Sequence, residues 1–212
     1  MQSPHLLDVL WEQLAAIHPV EWVGMFAGMT GVWLSIKERV GAWPLFILCY
    51  LAYIFIGFRS GYYAFGIMNV GFIGVAVYGW RQWAGSTKSA RDAGSSLEIS
   101  KIPSWHWWLI VPGITAFTFG IGILLAKTGE ARLPYYDAFA VSNALIAQWL
   151  LSRKRIENWI FWIISDCVYI GLFWNDQLWP SVILFSVFIV LACKGWHEWR
   201  QSMLCRAKNS VD

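Results

Sequence analysis

The chain repeats itself at a fixed offset of 116 residues, without a gap, from Trp33 to Trp83. Trp33 aligns with Trp149, Arg39 with Arg155, Trp43 with Trp159 and Tyr53 with Tyr169, and the closing GWRQW (Gly79–Trp83) aligns with GWHEW (Gly195–Trp199). Ile47/Ile163, Ile54/Ile170, Phe72/Phe188, Ile73/Ile189 and Ala76/Ala192 fill the interval. A duplication of this kind restricts the fold to two copies of one bundle, and membrane chains so built commonly keep a solute site between the copies. One small solute lacks two-fold symmetry, so positions where the copies disagree point to that site.

Composition sets the solvent. The chain is 58% hydrophobic and 14% charged, with a mean hydropathy of +0.49, whereas about a quarter of the residues of soluble domains are charged. It reads as an all-α membrane protein whose surroundings are a lipid bilayer. The net charge of +3 does not imply a nucleic-acid partner, because the basic residues flank apolar runs, as cytoplasmic loops require. Cys49, Cys167, Cys193 and Cys205 show no metal or redox spacing, and we expect them to be buried small hydrophobes.

Apolar runs long enough to cross a hydrocarbon core of about 30 Å occur near Val20–Ile36, Ala42–Phe58, Tyr62–Trp80, Trp105–Ala126, Tyr135–Leu151, Trp159–Trp174 and Leu178–Trp196. Seven transmembrane helices follow: two parallel three-helix repeats joined by a linker helix, a 3+1+3 order. The expected divisions are an N-terminal amphipathic segment (1–19), the first repeat (20–83), a cytoplasmic loop (84–104), the linker helix (105–126), the second repeat (127–199) and a cytoplasmic tail (200–212). With the N-terminus outside, thirteen Lys and Arg residues fall on the inner side, and only Arg59, Lys127 and Arg132 fall outside. This bias places the C-terminus in the cytoplasm. Leu6, Leu7, Leu10, Leu14 and Ile17 have near-helical spacing with no basic segment before them, which suits an interfacial helix rather than a signal peptide.

Trp43, Phe46, Tyr50 and Tyr53 share one helical face, and so do their counterparts Trp159, Trp162, Asp166 and Tyr169. The second set replaces a tyrosine with a carboxylate. Asp166 in a span is expensive unless paired or facing water, and such residues tend to be functional. Asn69 (opposite Phe185), Asn143 (opposite Ala27) and Gln148 (opposite Val32) break the symmetry in the same way. Indoles beside a carboxylate suit a planar cationic ring, and amides suit sugar hydroxyls. Gly24 and Gly28 are expected to permit close helix packing. Trp80, Trp83, Trp196 and Trp199, with Trp105, Trp107 and Trp108, are expected in the interfacial aromatic belts. His106 and His197 have no metal-ligand company, and no nucleophile–base pair stands out, so no enzymatic activity is expected.

The strings YDAF (Tyr136–Phe139), AQWLLSRKRIENW (Ala147–Trp159), the Trp159/Trp162 WxxW pair, Asp166, YIGL (Tyr169–Leu172) and GWHEW together resemble the PnuC family of bacterial vitamin B3 transporters. The likeness, with YGWRQW in the first copy, spans nearly the whole chain. It implies a duplicated fold similar to the SWEET sugar transporters, nicotinamide riboside as the small-molecule substrate, facilitated diffusion across the bacterial inner membrane, and trapping by cytoplasmic phosphorylation. The WxxW motif of the family falls on Trp159 and Trp162, and its ENW asparagine falls on Asn158. No cofactor is implied, and no GxxxxGK[ST] loop for ATP is present. A homo-oligomer stays open, as do two rivals: a proton-coupled carrier of a related aromatic vitamin or nucleoside, and a seven-helix retinal photoreceptor using Lys194.

Overall fold

The computed structural model describes residues 6–60, 63–85, 97–129 and 132–209, and these are helical except for short connections. The helices are α1 (Leu6–Ala16), α2 (Pro19–Ile36), α3 (Ala42–Arg59), α4 (Tyr63–Gly85), α5 (Trp107–Thr128), α6 (Pro134–Ser152), α7 (Asn158–Asn175) and α8 (Trp179–Asn209). A 3-10 turn, Ser104–His106, leads into α5. Among the described residues, three stretches are long and apolar enough to cross a membrane: Ala42–Arg59, Ser104–Thr128 and Trp179–Arg206. Residue Tyr62 and most of the 84–104 connection (residues 86–96) lie outside the described residues. The last helix runs on through the segment expected as a tail, as far as Asn209.

The duplication is visible in the local geometry. Pro19 and Pro134, one position out of step with the repeat, each open a helix at N1/N2, where a missing N–H costs nothing. Glu21 and its equivalent Asp137 follow in the first turns and complement the helix dipoles. The turns after α2 and α6 are the same structure: Glu38 and Lys154 both have left-handed backbones, with φ of 53° and 50°. Arg39 and Arg155 each donate a backbone N–H to Leu34 and Leu150, at 2.9 Å in both copies.

Within the first copy α2 packs on α3 and α3 on α4; within the second, α6 packs on α7 and α7 on α8. Across the copies α2 meets α8 and α4 meets α6, the same contact made twice. Gly24 lies against Ala52 and Tyr53, and Gly28 against Cys49 and Phe188, so this pair packs helices as its spacing predicts. The core is largely one cluster spanning both copies at the end carrying the Lys37–Arg39 and Arg153–Arg155 turns, here called the basic end.

Two sequence expectations change. Trp83 and Trp199 are not belt residues: each is only 1% exposed, because α4 and α8 turn these rings toward the space between the copies. Trp80 remains 40% exposed. Of the cysteines only Cys49 is buried, whereas Cys167, Cys193 and Cys205 are exposed, and all four are free. An apolar run cannot distinguish the lipid-facing side of a helix from the packed side.

The RKRIENW segment has a structural task. Ser100 bridges to Arg155, the Arg155 guanidinium donates to Ser100 Oγ and the Lys101 carbonyl at 2.8 Å each, and both Glu157 carboxylate oxygens accept the Ile102 N–H at 3.0 Å. This clamp ties the chain entering α5 to the α6–α7 turn and buries Ile99 and Ile102. Glu157→Ala is expected to cost about 1.5–3 kcal/mol, the range for hydrogen bonds to a charged group. Hydrogen exchange at Ile102 should accelerate first, and an unchanged rate there would remove the clamp from the account.

Candidate functional site

Helix geometry sorts the ten candidate residues into layers. Trp43 and Trp159 open α3 and α7 at the basic end and form two equivalent edge-on pairs: Trp43 with Trp83 (5.3 Å, 85°) and Trp159 with Trp199 (5.3 Å, 81°). Trp83 and Trp199 are themselves 6.5 Å apart. Gly79 and Gly195 make room for these rings: a Cβ on Gly79 would collide with Trp43, and one on Gly195 would lie 2.5 Å from Trp159. Trp199 Nε1 donates to the Ile36 carbonyl at 3.1 Å. Asn158 is fully buried, its amide donating to the Arg155 carbonyl at 2.7 Å, so it braces the turn before α7.

One turn or so deeper come Gln148 and Trp162. Each is four residues from the basic end of its helix, about 6 Å at 1.5 Å per residue. Gln148 is 0% exposed, and among the described residues neither end of its amide has a hydrogen-bond partner. Trp162 is half-buried and packs against both apolar clusters. Such an amide forgoes a few kcal/mol of hydrogen bonding unless a solute or water supplies it.

Deeper still lie Asn143 and Asp166, about 12–14 Å from the basic ends of α6 and α7. Asn69 shares this depth, since on α4 it falls between Phe65, which meets Tyr53 at 6.0 Å, and Phe72, which stacks on Tyr50 at 5.1 Å. The amides of Asn69 and Asn143 donate to the carbonyls of Phe65 (2.9 Å) and Phe139 (2.8 Å) in their own helices, which leaves their oxygens as acceptors. Asp166, 4% exposed, makes no hydrogen bond or ion pair with any described residue. In the first copy its place is taken by Tyr50, which is sandwiched between Phe46 and Phe72. The symmetry break therefore exchanges a filled aromatic stack for a carboxylate with open valence.

Toward the opposite end stand Tyr53 and Tyr169. Tyr169 packs on Phe173 and Phe185 and lines a cleft of about 80 Å³ with Asp137, Arg132 and Asp176. Arg132 and Asp176 close its rim with a 2.8 Å ion pair. Two features escaped sequence reasoning: Trp83 and Trp199 as the inner pair of the tryptophan quartet, and Asp137 in this cleft. The signals were present, in Gly79 four residues before Trp83 and in the repeat equivalence of Glu21 and Asp137. Among the described residues no group of His, Cys, Asp or Glu could hold a metal ion. Lys194, required by the photoreceptor rival, is exposed and lies 4.1 Å over the Trp33 ring.

The bundle thus joins two like units and buries a carboxylate with open valence together with three side-chain amides. The family model described as nicotinamide mononucleotide transporter matches residues 18–201. The chain belongs to that family. It is 21% identical to the nicotinamide riboside transporter PnuC of Escherichia coli, over 91% of this chain and 89% of that one. It is 24% identical to the riboflavin/roseoflavin transporter RibM of Streptomyces davaonensis, over 84% of this chain and 83% of that one. A crystal structure of the vitamin B3 transporter PnuC superposes with a TM-score of 0.68 at 18% identity, covering 93% of this chain and 89% of the other. The resemblance to the PnuC family thus extends over most of the chain, and the fold is that of its solved relative.

Proposed function

We propose that this protein carries nicotinamide riboside across the bacterial inner membrane into the cytoplasm by facilitated diffusion, with phosphorylation inside the cell retaining the product. The chain then crosses the bilayer seven times as two parallel three-helix repeats, α2–α4 and α6–α8, joined by α5. The N-terminus is outside and the basic end faces the cytoplasm, in keeping with the Lys/Arg bias. The observation that carries this reading is the buried set Asp166, Asn143, Asn69 and Gln148 beside Trp162. In a lipid-embedded bundle, polar valence of this kind is tolerated where a polar solute occupies it. The pyridinium ring of nicotinamide riboside suits Trp162 and the Asp166 charge, and its ribose hydroxyls suit the amide oxygens.

Trp162→Ala is expected to weaken nicotinamide riboside binding by at least about 1 kcal/mol, the scale of a lost cation–π or aromatic contact. Titration calorimetry on the purified variant reads this directly, and unchanged affinity moves the ring site elsewhere. The deciding experiment for the substrate is the same titration with nicotinamide riboside, its mononucleotide, nicotinamide, thiamine and riboflavin. The likeness to a riboflavin carrier favours riboflavin as the second reading, and tighter binding of that neutral ring would displace the first. Proton coupling is favoured only by the unpaired Asp166. Labelled-substrate exchange that persists after the proton gradient is collapsed supports the facilitator, and exchange that stops overturns it.

A further inference from the structure

Two residues at equivalent positions of a duplicated chain can touch only if they straddle the axis relating the copies. Glu38 and Lys154 are such a pair, 116 positions apart, and the Lys154 ammonium donates to the Glu38 carboxylate at 2.7 Å. Trp83 and Trp199 are the second such pair, at 6.5 Å. The Lys154 ammonium also lies 4.9 Å from the Trp83 ring centre, so the ion pair and the aromatic pair form one continuous plug on the axis. Arg206 from α8 adds a longer contact of 3.7 Å to the other Glu38 oxygen. Lys37 reaches Glu198 of the other copy at 2.9 Å.

We propose that Glu38 and Lys154, with Trp83 and Trp199 beneath them, are the gate that closes the basic end of the solute path, and that each transport cycle parts them. The proposal rests on the transport reading above. A solute held at the depth of Asp166 and leaving toward the basic end meets the plug, because that is where the two copies touch on their own axis. Rocking one three-helix copy against the other changes the separation of axis-straddling residues directly. The chemistry suits a contact that must re-form repeatedly. The pair keeps partial exposure, with the two side chains 11% and 22% accessible; ion pairs in contact with water are weak, and the flat tryptophan edges separate without leaving a buried charge behind. Both residues have a left-handed backbone just past the end of a helix, and it is there that their side chains meet across the copies.

The test uses the full chain in inside-out membrane vesicles, with Cys49, Cys167, Cys193 and Cys205 replaced and Ala76→Cys as a reporter on the axis-facing cluster. A membrane-impermeant thiol reagent is applied at the basic side. Glu38→Lys, which sets like charges against Lys154 and Arg206, should raise the reporter's modification rate about tenfold or more, as a bias of that size on a two-state opening would. Glu38→Gln should raise it less. Lys154→Glu should also raise it less, because Arg206 still neutralises position 38. The exchanged pair Glu38→Lys with Lys154→Glu should lower the rate well below that of Glu38→Lys alone, short of the parent chain by what the repulsion between position 38 and Arg206 retains. Unchanged modification in Glu38→Lys, or no recovery in the exchanged pair, overturns the gate. In a second arm, Glu38→Cys and Lys154→Cys are joined by a short reducible bis-thiol linker. Uptake of labelled nicotinamide riboside should stop and return on reduction; undiminished uptake while linked would make the pair a static staple and overturn the proposal. The accessibility arm does not depend on which solute is carried, so its failure is distinguishable from failure of the nicotinamide riboside assignment.

Discussion

Trp159→Ala destabilises the folded chain by about 3–5 kcal/mol, the cost of emptying a fully buried tryptophan site in a well-packed core. The ring is 1% exposed, lies directly on Gly195 and presents its face or edge to Trp199 at 5.3 Å. Surrounding helices cannot collapse into the void, because Trp199 is itself held by its bond to the Ile36 carbonyl. Thermal unfolding in detergent, without solute, reads the loss. Gly195→Ala should shift the midpoint the same way by displacing the ring rather than deleting it. A Trp159→Ala protein with a parental midpoint would show that the tryptophan quartet contributes little to the fold and would return Trp159 to the list of solute contacts. Trp162, half-buried and off the quartet, is expected to show the reverse balance: small effect on unfolding, larger effect on binding.

Asp166→Asn is expected to separate function from stability with opposite signs. Nicotinamide riboside affinity falls about tenfold to a hundredfold, the equivalent of about 1.5–3 kcal/mol for a hydrogen bond or contact made by a charged group. Meanwhile, at a pH where Asp166 is ionised, the solute-free variant unfolds at a higher temperature than the parent chain, since an unpaired buried charge is costly and the neutral amide of the same shape is less so. Calorimetry and thermal unfolding on one preparation measure both. A variant that loses stability along with affinity would show that Asp166 is paired in the resting protein, and the open-valence account would fail.

Much of this architecture is legible in the sequence because a gapless repeat carries register as well as homology. The equivalence of Arg39 with Arg155 and of Trp43 with Trp159 follows from it, and the packing of Gly24 and Gly28 follows from their spacing of four. The tryptophans were harder. A ring at a helix end reads identically whether it faces lipid headgroups or the axis, and only a glycine four residues earlier, opposite a partner's indole, tells the two apart. Glu157 and Arg155 appear in sequence as part of an unusual string, but their partners Ser100, Lys101 and Ile102 lie in a polar segment with no periodicity to fix its position. Asp166, Asn69, Asn143 and Gln148 stand out in the sequence because a residue opposite an equivalent of different chemistry is visible without coordinates. The shared depth of Asp166, Asn143 and Asn69 is not, since it depends on how far each helix slides past its neighbours.

The contact between Glu38 and Lys154 has a consequence for how such a protein can be assembled. If the bundle were a dimer of identical half-length chains, the residue after the first helix would face its own copy on the axis, glutamate against glutamate or lysine against lysine, and would repel. Opposite charges can meet there only when the two halves are free to differ, which means when they are encoded separately or joined in one chain. Fusion therefore does more here than tether two bundles: it permits an attractive contact at the one place where strict symmetry forbids it, and with it a carboxylate at Asp166 that has no twin.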